Sequence, residues 1–122
     1  MDMMDKVSKQ YRDVFYIIFR ILVGVLFFMH GYSKFAGGMA AGLFLVAAIV
    51  ELVVGAALIL GFFVRWASFF GAGQMLIAYV MVHAPKGLSP LDNGGELAVI
   101  YFAAFCVAFI YGNGKWGLQK SG

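Results

Sequence analysis

Two opposite charges stand inside apolar stretches of the sequence, and they are the side chains best placed to do chemistry. Arg20 lies in an otherwise apolar and glycine-containing run at residues 14–29, and Glu51 is the only charge within residues 43–64. A lone charge at the centre of a bilayer costs roughly 2.5–3.5 kcal/mol on insertion scales, so it usually faces a partner inside the protein. The sequence therefore predicts a buried Arg20–Glu51 ion pair.

The elements that must position this pair are transmembrane helices. The chain has 122 residues, of which 63% are hydrophobic and 12% charged, whereas a soluble domain carries about 25% charged residues. Apolar segments at about residues 14–35, 43–64, 66–83 and 96–111 approach the ~20 residues that span a bilayer, and strand-like alternation is absent. We predict an all-α, integral membrane, antiparallel four-helix bundle formed by a single domain over residues 1–122.

The basic residues predict the orientation and the partners. Lys34 and Lys86 lie on one side of the predicted membrane and the other lysines and arginines near segment ends on the opposite side, namely Lys6, Lys9, Arg12, Arg65, Lys115 and Lys120. Because cytoplasmic loops carry the basic excess, we predict a multi-pass protein of the cytoplasmic membrane with both termini cytoplasmic. The net charge of +3 includes no dense Lys/Arg patch, so lipid rather than nucleic acid is the expected partner.

Helical spacing puts the polar residues on stripes of small residues. Arg20 falls in register with Gly24 and Gly31, Glu51 with Gly55, and Gln74 with Gly71. Small residues mark close contact between membrane helices, so Arg20, Glu51 and Gln74 should face inward, and at ~1.5 Å per residue they fall at similar depths. This layer is either an ion pair with an amide that locks the helix register, or the floor of a ligand cavity.

A second polar cluster is predicted toward the outer side. It comprises His30 and Lys34, one turn apart, with His83 at the end of the third segment and Glu96 at the start of the fourth. These residues are either helix-capping and interfacial groups or the mouth of a pocket with two titratable imidazoles. No His-x-x-x-His or Glu-x-x-His pair is present, so no metal site is predicted.

Sequence motifs of self-sufficient enzymes are missing. The single cysteine, Cys106, rules out a Cys-x-x-Cys dithiol within this chain and is expected to be a small apolar core residue. The sequence contains no phosphate-binding loop, nucleophile elbow or dinucleotide fingerprint. Whether the chain is an enzyme stays open, and electrons for any redox reaction would come from a partner.

From residue 19 to residue 119 the chain resembles the DoxX family of small four-helix membrane proteins. The resemblance rests on the order and spacing of short motifs: FRILVG at 19–24, FMHGYSKF at 28–35, ELVVG at 51–55, LGFFVR at 60–65, NGGE at 93–96 and GNGKWGLQ at 112–119. The closing motif departs from the family pattern, because Asn113 stands where relatives often have proline and Gln119 where they often have aspartate.

The resemblance implies a subunit of a quinone-linked oxidoreductase or an oxidative-stress system. A quinone is then the expected ligand, with no intrinsic cofactor, and an oxidoreductase subunit is the expected partner. A non-catalytic assembly partner, or a small-solute binder or transporter, is the alternative, and a homodimer is possible for either. The resemblance also implies that Arg65 is a functional position. The candidate ligand-binding residues are Arg20, His30, Lys34, Glu51, Gln74, His83 and Glu96.

Overall fold

The described residues fold almost entirely into helices. A computed structural model describes residues 2–37 and 41–120, and no strand occurs in these ranges. The helices are α1 (Met3–Gln10), α2 (Arg12–Ala36), α3 (Leu43–Leu60), α4 (Val64–Ala78), α5 (Pro90–Asn93) and α6 (Glu96–Tyr111). A π-helical turn at Tyr79–His83 and a 3-10 turn at Ala84–Lys86 continue α4. The all-α prediction is confirmed. Between the first and second predicted segments, residues 38–40 lie outside the described ranges.

Three of these helices are long and apolar enough to cross a membrane. They are α2, α3 and α4 with its continuation to Lys86, whereas α6 is apolar but has 16 residues. Large apolar side chains cover the outer surface of the described helices; Phe15, Leu22 and Val53 are examples. Such a surface is stable against hydrocarbon and costly against water. The protein is therefore a multi-pass membrane protein.

The chain runs back and forth between two ends. We call the end with residues 12, 60, 64 and 111 the termini end, and the end with residues 36, 43 and 78–95 the loop end. Both helix boundaries at the second turn differ from prediction. α3 ends at Leu60 rather than 64 and α4 begins at Val64 rather than 66, since Gly61 adopts a left-handed conformation (φ +71°) that ends α3.

Glycine contacts bring α2 and α3 close together. A Cβ atom on Gly24 would lie 2.8 Å from the carbonyl oxygen of Gly55, and one on Gly31 would lie 2.8 Å from that of Ala48. Arg20, Gly24, Gly31, Glu51 and Gly55 are all buried, so these stripes face inward as expected. Beside them lies a core centred on Phe27, Leu58 and Phe105.

The sequence did not predict α1. Met3, Met4, Val7 and Tyr11 share one face of this short helix and are exposed, and Lys6 and Lys9 lie away from that face. The Asp2 side chain caps its first turn by accepting a hydrogen bond from the Asp5 amide at 2.9 Å. The pattern is too short and too polar for a spanning helix, but it is typical of helices that lie in the membrane interface.

Candidate functional site

The predicted Arg20–Glu51 ion pair is wrong, although both side chains are buried at 2% exposure. Arg20 binds main-chain carbonyls at the termini end, whereas Glu51 pairs with Lys34. The reason is the direction in which helical side chains lean. Each leans toward the N-terminus of its own helix, and the N-termini of antiparallel α2 and α3 lie at opposite ends. Arg20 and Glu51 therefore diverge from similar depths, and Lys34 leans inward toward Glu51.

Arg20 binds main-chain carbonyls of two separate segments at the termini end. Its Nε donates to the Leu58 carbonyl at 2.7 Å and its Nη2 to that of Ile59 at 3.4 Å. Its Nη1 donates to the carbonyls of Asn113 and Trp116, in the segment that follows α6. The C-terminal end of α3 carries partial negative charge, so the buried cation is balanced there without a carboxylate. Arg20 thus fastens the C-terminal segment to the end of α3.

Asn113 and Gln119, the two positions that depart from the family pattern, also bind the segment that follows α6 to the rest of the protein. The Asn113 carboxamide accepts from the Val64 amide at 3.0 Å and donates to the Gln119 carbonyl at 2.9 Å. The Gln119 side chain accepts from the Phe63 amide at 2.8 Å, which holds Phe63 in an unusual left-handed conformation (φ +48°). Sequence reasoning missed this network. The Gly-Asn-Gly run was its signal, because such residues are typical of turns.

Glu51 is the centre of a polar network nearer the loop end. Lys34 Nζ lies 2.7 Å and 2.9 Å from the two carboxylate oxygens, and Gln74 Nε2 donates to one of them at 2.7 Å. The Lys34 side chain is 25% exposed and that of Glu51 is 2% exposed. Within the described parts of the chain, Gln74 Oε1 is buried and accepts no hydrogen bond. A buried acceptor without a donor is rare and costly, so this oxygen is the unsatisfied atom of the network.

This network forms part of the wall of a cavity of about 240 Å³ at the loop end. Four candidate residues line the cavity, and Gln74 is bonded to one of them. Arg20 and Glu96 are not among the lining residues. The lining comprises Phe27, His30, Lys34, Glu51, Met75, Ala78, His83, Gly94, Leu97, Ala98 and Tyr101. Glu51 and Gln74 therefore lie with the residues of the predicted outer cluster, His30, Lys34 and His83, and not with Arg20.

His83 is positioned by a π-helical turn and by the loop that follows. Its Nδ1 lies 3.2 Å from the Asn93 carbonyl; because a carbonyl only accepts, Nδ1 carries the hydrogen and Nε2 of the neutral ring is left as an acceptor. The Asn93 side chain donates to the Tyr79 hydroxyl at 3.1 Å and to the Gly87 carbonyl at 3.0 Å. Single π-helical turns occur frequently at functional sites.

Aromatic residues also line the cavity. The Tyr101 ring packs against His30 edge-on, with centroids 5.7 Å apart, and against Phe27 at 5.1 Å. Tyr101 is 6% exposed, whereas His30 and Glu96 are exposed. Sequence reasoning missed Tyr101, since an isolated tyrosine in an apolar helix has no distinguishing pattern.

Two further observations concern metal and thiol chemistry. Across residues 2–37 and 41–120, no group of three or more His, Cys, Asp and Glu side chains is arranged to hold a metal ion.

Cys106 is exposed on the outer surface of α6, so the expectation of a core cysteine is wrong. The sequence of α6 could not indicate which face is buried, because this helix is apolar on all sides.

Comparisons with known proteins agree with the fold and the motifs. The DoxX family model matches residues 15–84. An uncharacterized protein of Haemophilus influenzae is 37% identical over 125 residues, covering 92% of this chain and 93% of that protein. No solved structure matches. With more than half of the chain matched by the family model and a relative similar over nearly its full length, this membrane protein belongs to the DoxX family.

Proposed function

We propose that this protein is a four-span subunit of the cytoplasmic membrane that binds a quinone-like ligand in the Glu51 cavity. It would act within a quinone-linked oxidoreductase or an oxidative-stress system, with both termini cytoplasmic. The observation that carries the proposal is the buried Glu51 carboxylate, which is bonded to Lys34 and Gln74 and lies with Lys34 on the wall of a cavity at the loop end. Ionisable groups buried in a membrane protein are costly, and they commonly mark a functional site.

The cavity suits a single ring with oxygen substituents. Its volume of about 240 Å³ lies below the roughly 300–1,000 Å³ typical of drug-sized ligands, so it favours one ring over a fused system. Phe27 and Tyr101 supply flat walls, and Met75 and Leu97 supply apolar ones. Stacking and apolar contact of this kind suit an aromatic or quinonoid ring.

The polar residues supply complementary hydrogen-bonding groups. A quinone, when bound, accepts electrons and protons at its ring oxygens. Lys34 Nζ, on a residue that lines the cavity, can donate a hydrogen bond to such an oxygen. Glu51 and His83 Nε2 are groups that can hold a proton beside it. The electrons would come from an oxidoreductase partner, because the sequence contains no motif for a redox centre.

A second function is favoured by one specific feature. Glu51 already accepts three hydrogen bonds from Lys34 and Gln74, so its carboxylate is satisfied without a ligand and can have the sole role of fixing helix register. The protein would then be a non-catalytic assembly partner or a small-solute binder or transporter. A homodimer is compatible with either function.

Ligand content separates the two functions. The protein is purified in mild detergent, its lipid extract is analysed for quinones by mass spectrometry, and a short-chain quinone is tested for a thermal shift. We expect Glu51→Gln to lose ligand while it remains folded, and Arg20→Gln to lose stability while it retains ligand. If the wild-type protein neither carries quinone nor shifts on its addition, the quinone proposal is wrong.

A further inference from the structure

A second concavity lies on the outer surface at the termini end, away from the Glu51 cavity. It is an open groove of about 430 Å³ between α4 and α6, lined by Arg65, Trp66, Phe69 and Phe109. Three of its four lining residues are aromatic and exposed. In a membrane protein, an apolar groove on the outer surface faces lipid chains.

Arg65 is a fixed cation at this groove. Its Nε donates to the Phe109 carbonyl at 3.0 Å and its Nη2 to the Ile110 carbonyl at 3.1 Å, so the end of α6 holds the guanidinium in place. Within residues 2–37 and 41–120 it forms no ion pair with a carboxylate, and its Nη1 has no hydrogen bond. An exposed guanidinium with a free N–H is suited to bind an anion, and a phosphate in particular.

The depths of the groove residues follow the order of groups in a phospholipid. Arg65 and Trp66 are the second and third residues of α4, so they lie within ~3 Å of the helix end, at the level where headgroups and interfacial tryptophans are found. Phe69 lies one turn deeper, ~6 Å from Arg65 along the axis. The cation thus stands at headgroup level and the aromatic rings extend toward the hydrocarbon.

We propose that this groove binds an anionic phospholipid, with the phosphate at Arg65 and one acyl chain along Trp66, Phe69 and Phe109. The charge of Arg65 is what selects this occupant over a second copy of the chain. A dimer interface on the groove would have to bury a guanidinium for which the described groove residues offer no carboxylate.

The test compares lipid retention in charge-matched variants. Native mass spectrometry of the full chain in detergent, titrated with phosphatidylglycerol or phosphatidylcholine, measures the bound lipid. We expect one phosphatidylglycerol to bind in preference to phosphatidylcholine, and Arg65→Gln to weaken it about fivefold. Lys115→Gln is the control, because Lys115 is an exposed lysine at the same end, paired with Asp13 at 3.3 Å and outside the groove; its effect should be under twofold.

A third variant separates lipid binding from local folding. Arg65→Lys keeps the charge but loses the two-pronged contact with α6, so it should retain most of the phosphatidylglycerol preference. The proposal is overturned if Arg65→Gln and Lys115→Gln weaken binding equally, or if Arg65→Lys behaves like Arg65→Gln. It is also overturned if the wild-type protein shows no headgroup preference, or if it forms a dimer that excludes the lipid.

Discussion

Replacing Lys34 with methionine should destabilise the protein far more than neutralising its partner. Lys34→Met leaves the carboxylate of Glu51, at 2% exposure, with Gln74 as its remaining side-chain donor. Removing one partner of a buried pair costs about 3–5 kcal/mol, and we expect about 3 kcal/mol because the cavity admits water beside the carboxylate. In Glu51→Gln the remaining lysine is 25% exposed and can extend toward the loop end, so the cost should be about 1 kcal/mol.

The double variant gives the sharpest test. The double variant of Lys34→Met with Glu51→Gln leaves no charge in the Glu51 network, so it should be more stable than Lys34→Met alone by about 1–2 kcal/mol. Equilibrium unfolding in SDS, followed by tryptophan fluorescence, measures the free energies of unfolding. Lys86→Met is the control, because Lys86 is an exposed lysine at the same end; it should change the stability by no more than about 0.5 kcal/mol.

Two results would refute this reasoning. If Lys34→Met is no more destabilising than Glu51→Gln, the carboxylate is not enclosed as the structure describes. If the effects of the two substitutions simply add, the side chains are not energetically coupled and the network is not a unit.

Three further substitutions test the packing. Arg20→Gln should cost about 3–5 kcal/mol, because it leaves buried carbonyls without their donor, and should expose the C-terminal segment to proteolysis; Arg12→Gln, an exposed arginine, should do neither. Gly55→Ala should lower the thermal midpoint, since its Cβ would lie 2.6 Å from a backbone nitrogen of α2 and such overpacking costs about 1–3 kcal/mol; Gly73→Ala, with nothing within 4 Å of a new Cβ, should be neutral or stabilising. Asn113→Ala should cost about 1–3 kcal/mol by removing the acceptor of a buried amide, measurable by SDS titration. Equal effects within the arginine pair or within the glycine pair would contradict the close contacts described.

Much of the site could be anticipated from residue type and spacing, but not its pairing. The small-residue stripes placed Arg20, Glu51 and Gln74 inside, and the structure buries Arg20 and Glu51 fully. Depth alone then suggested that Arg20 and Glu51 meet. Depth is insufficient, because the lean of a side chain along its helix decides which end it reaches, and Arg20 finds its acceptors on a C-terminal segment whose position no local pattern specifies.

Residue type and spacing are enough to predict the membrane and the apolar helices, although not α1: the apolar content favours a membrane, the segment lengths favour helices, and the glycines of α2 and α3 mark the faces that pack. The partners of the buried charges depend on how the helices pack. Antiparallel packing separates Arg20 from Glu51. Glu51 binds Lys34 and Gln74 beside a cavity, and Arg20 binds the segment that follows α6 to the end of α3. The physical reason is that burial is a property of one helix face, which a periodic pattern records, whereas a contact depends on the direction and ends of two helices together.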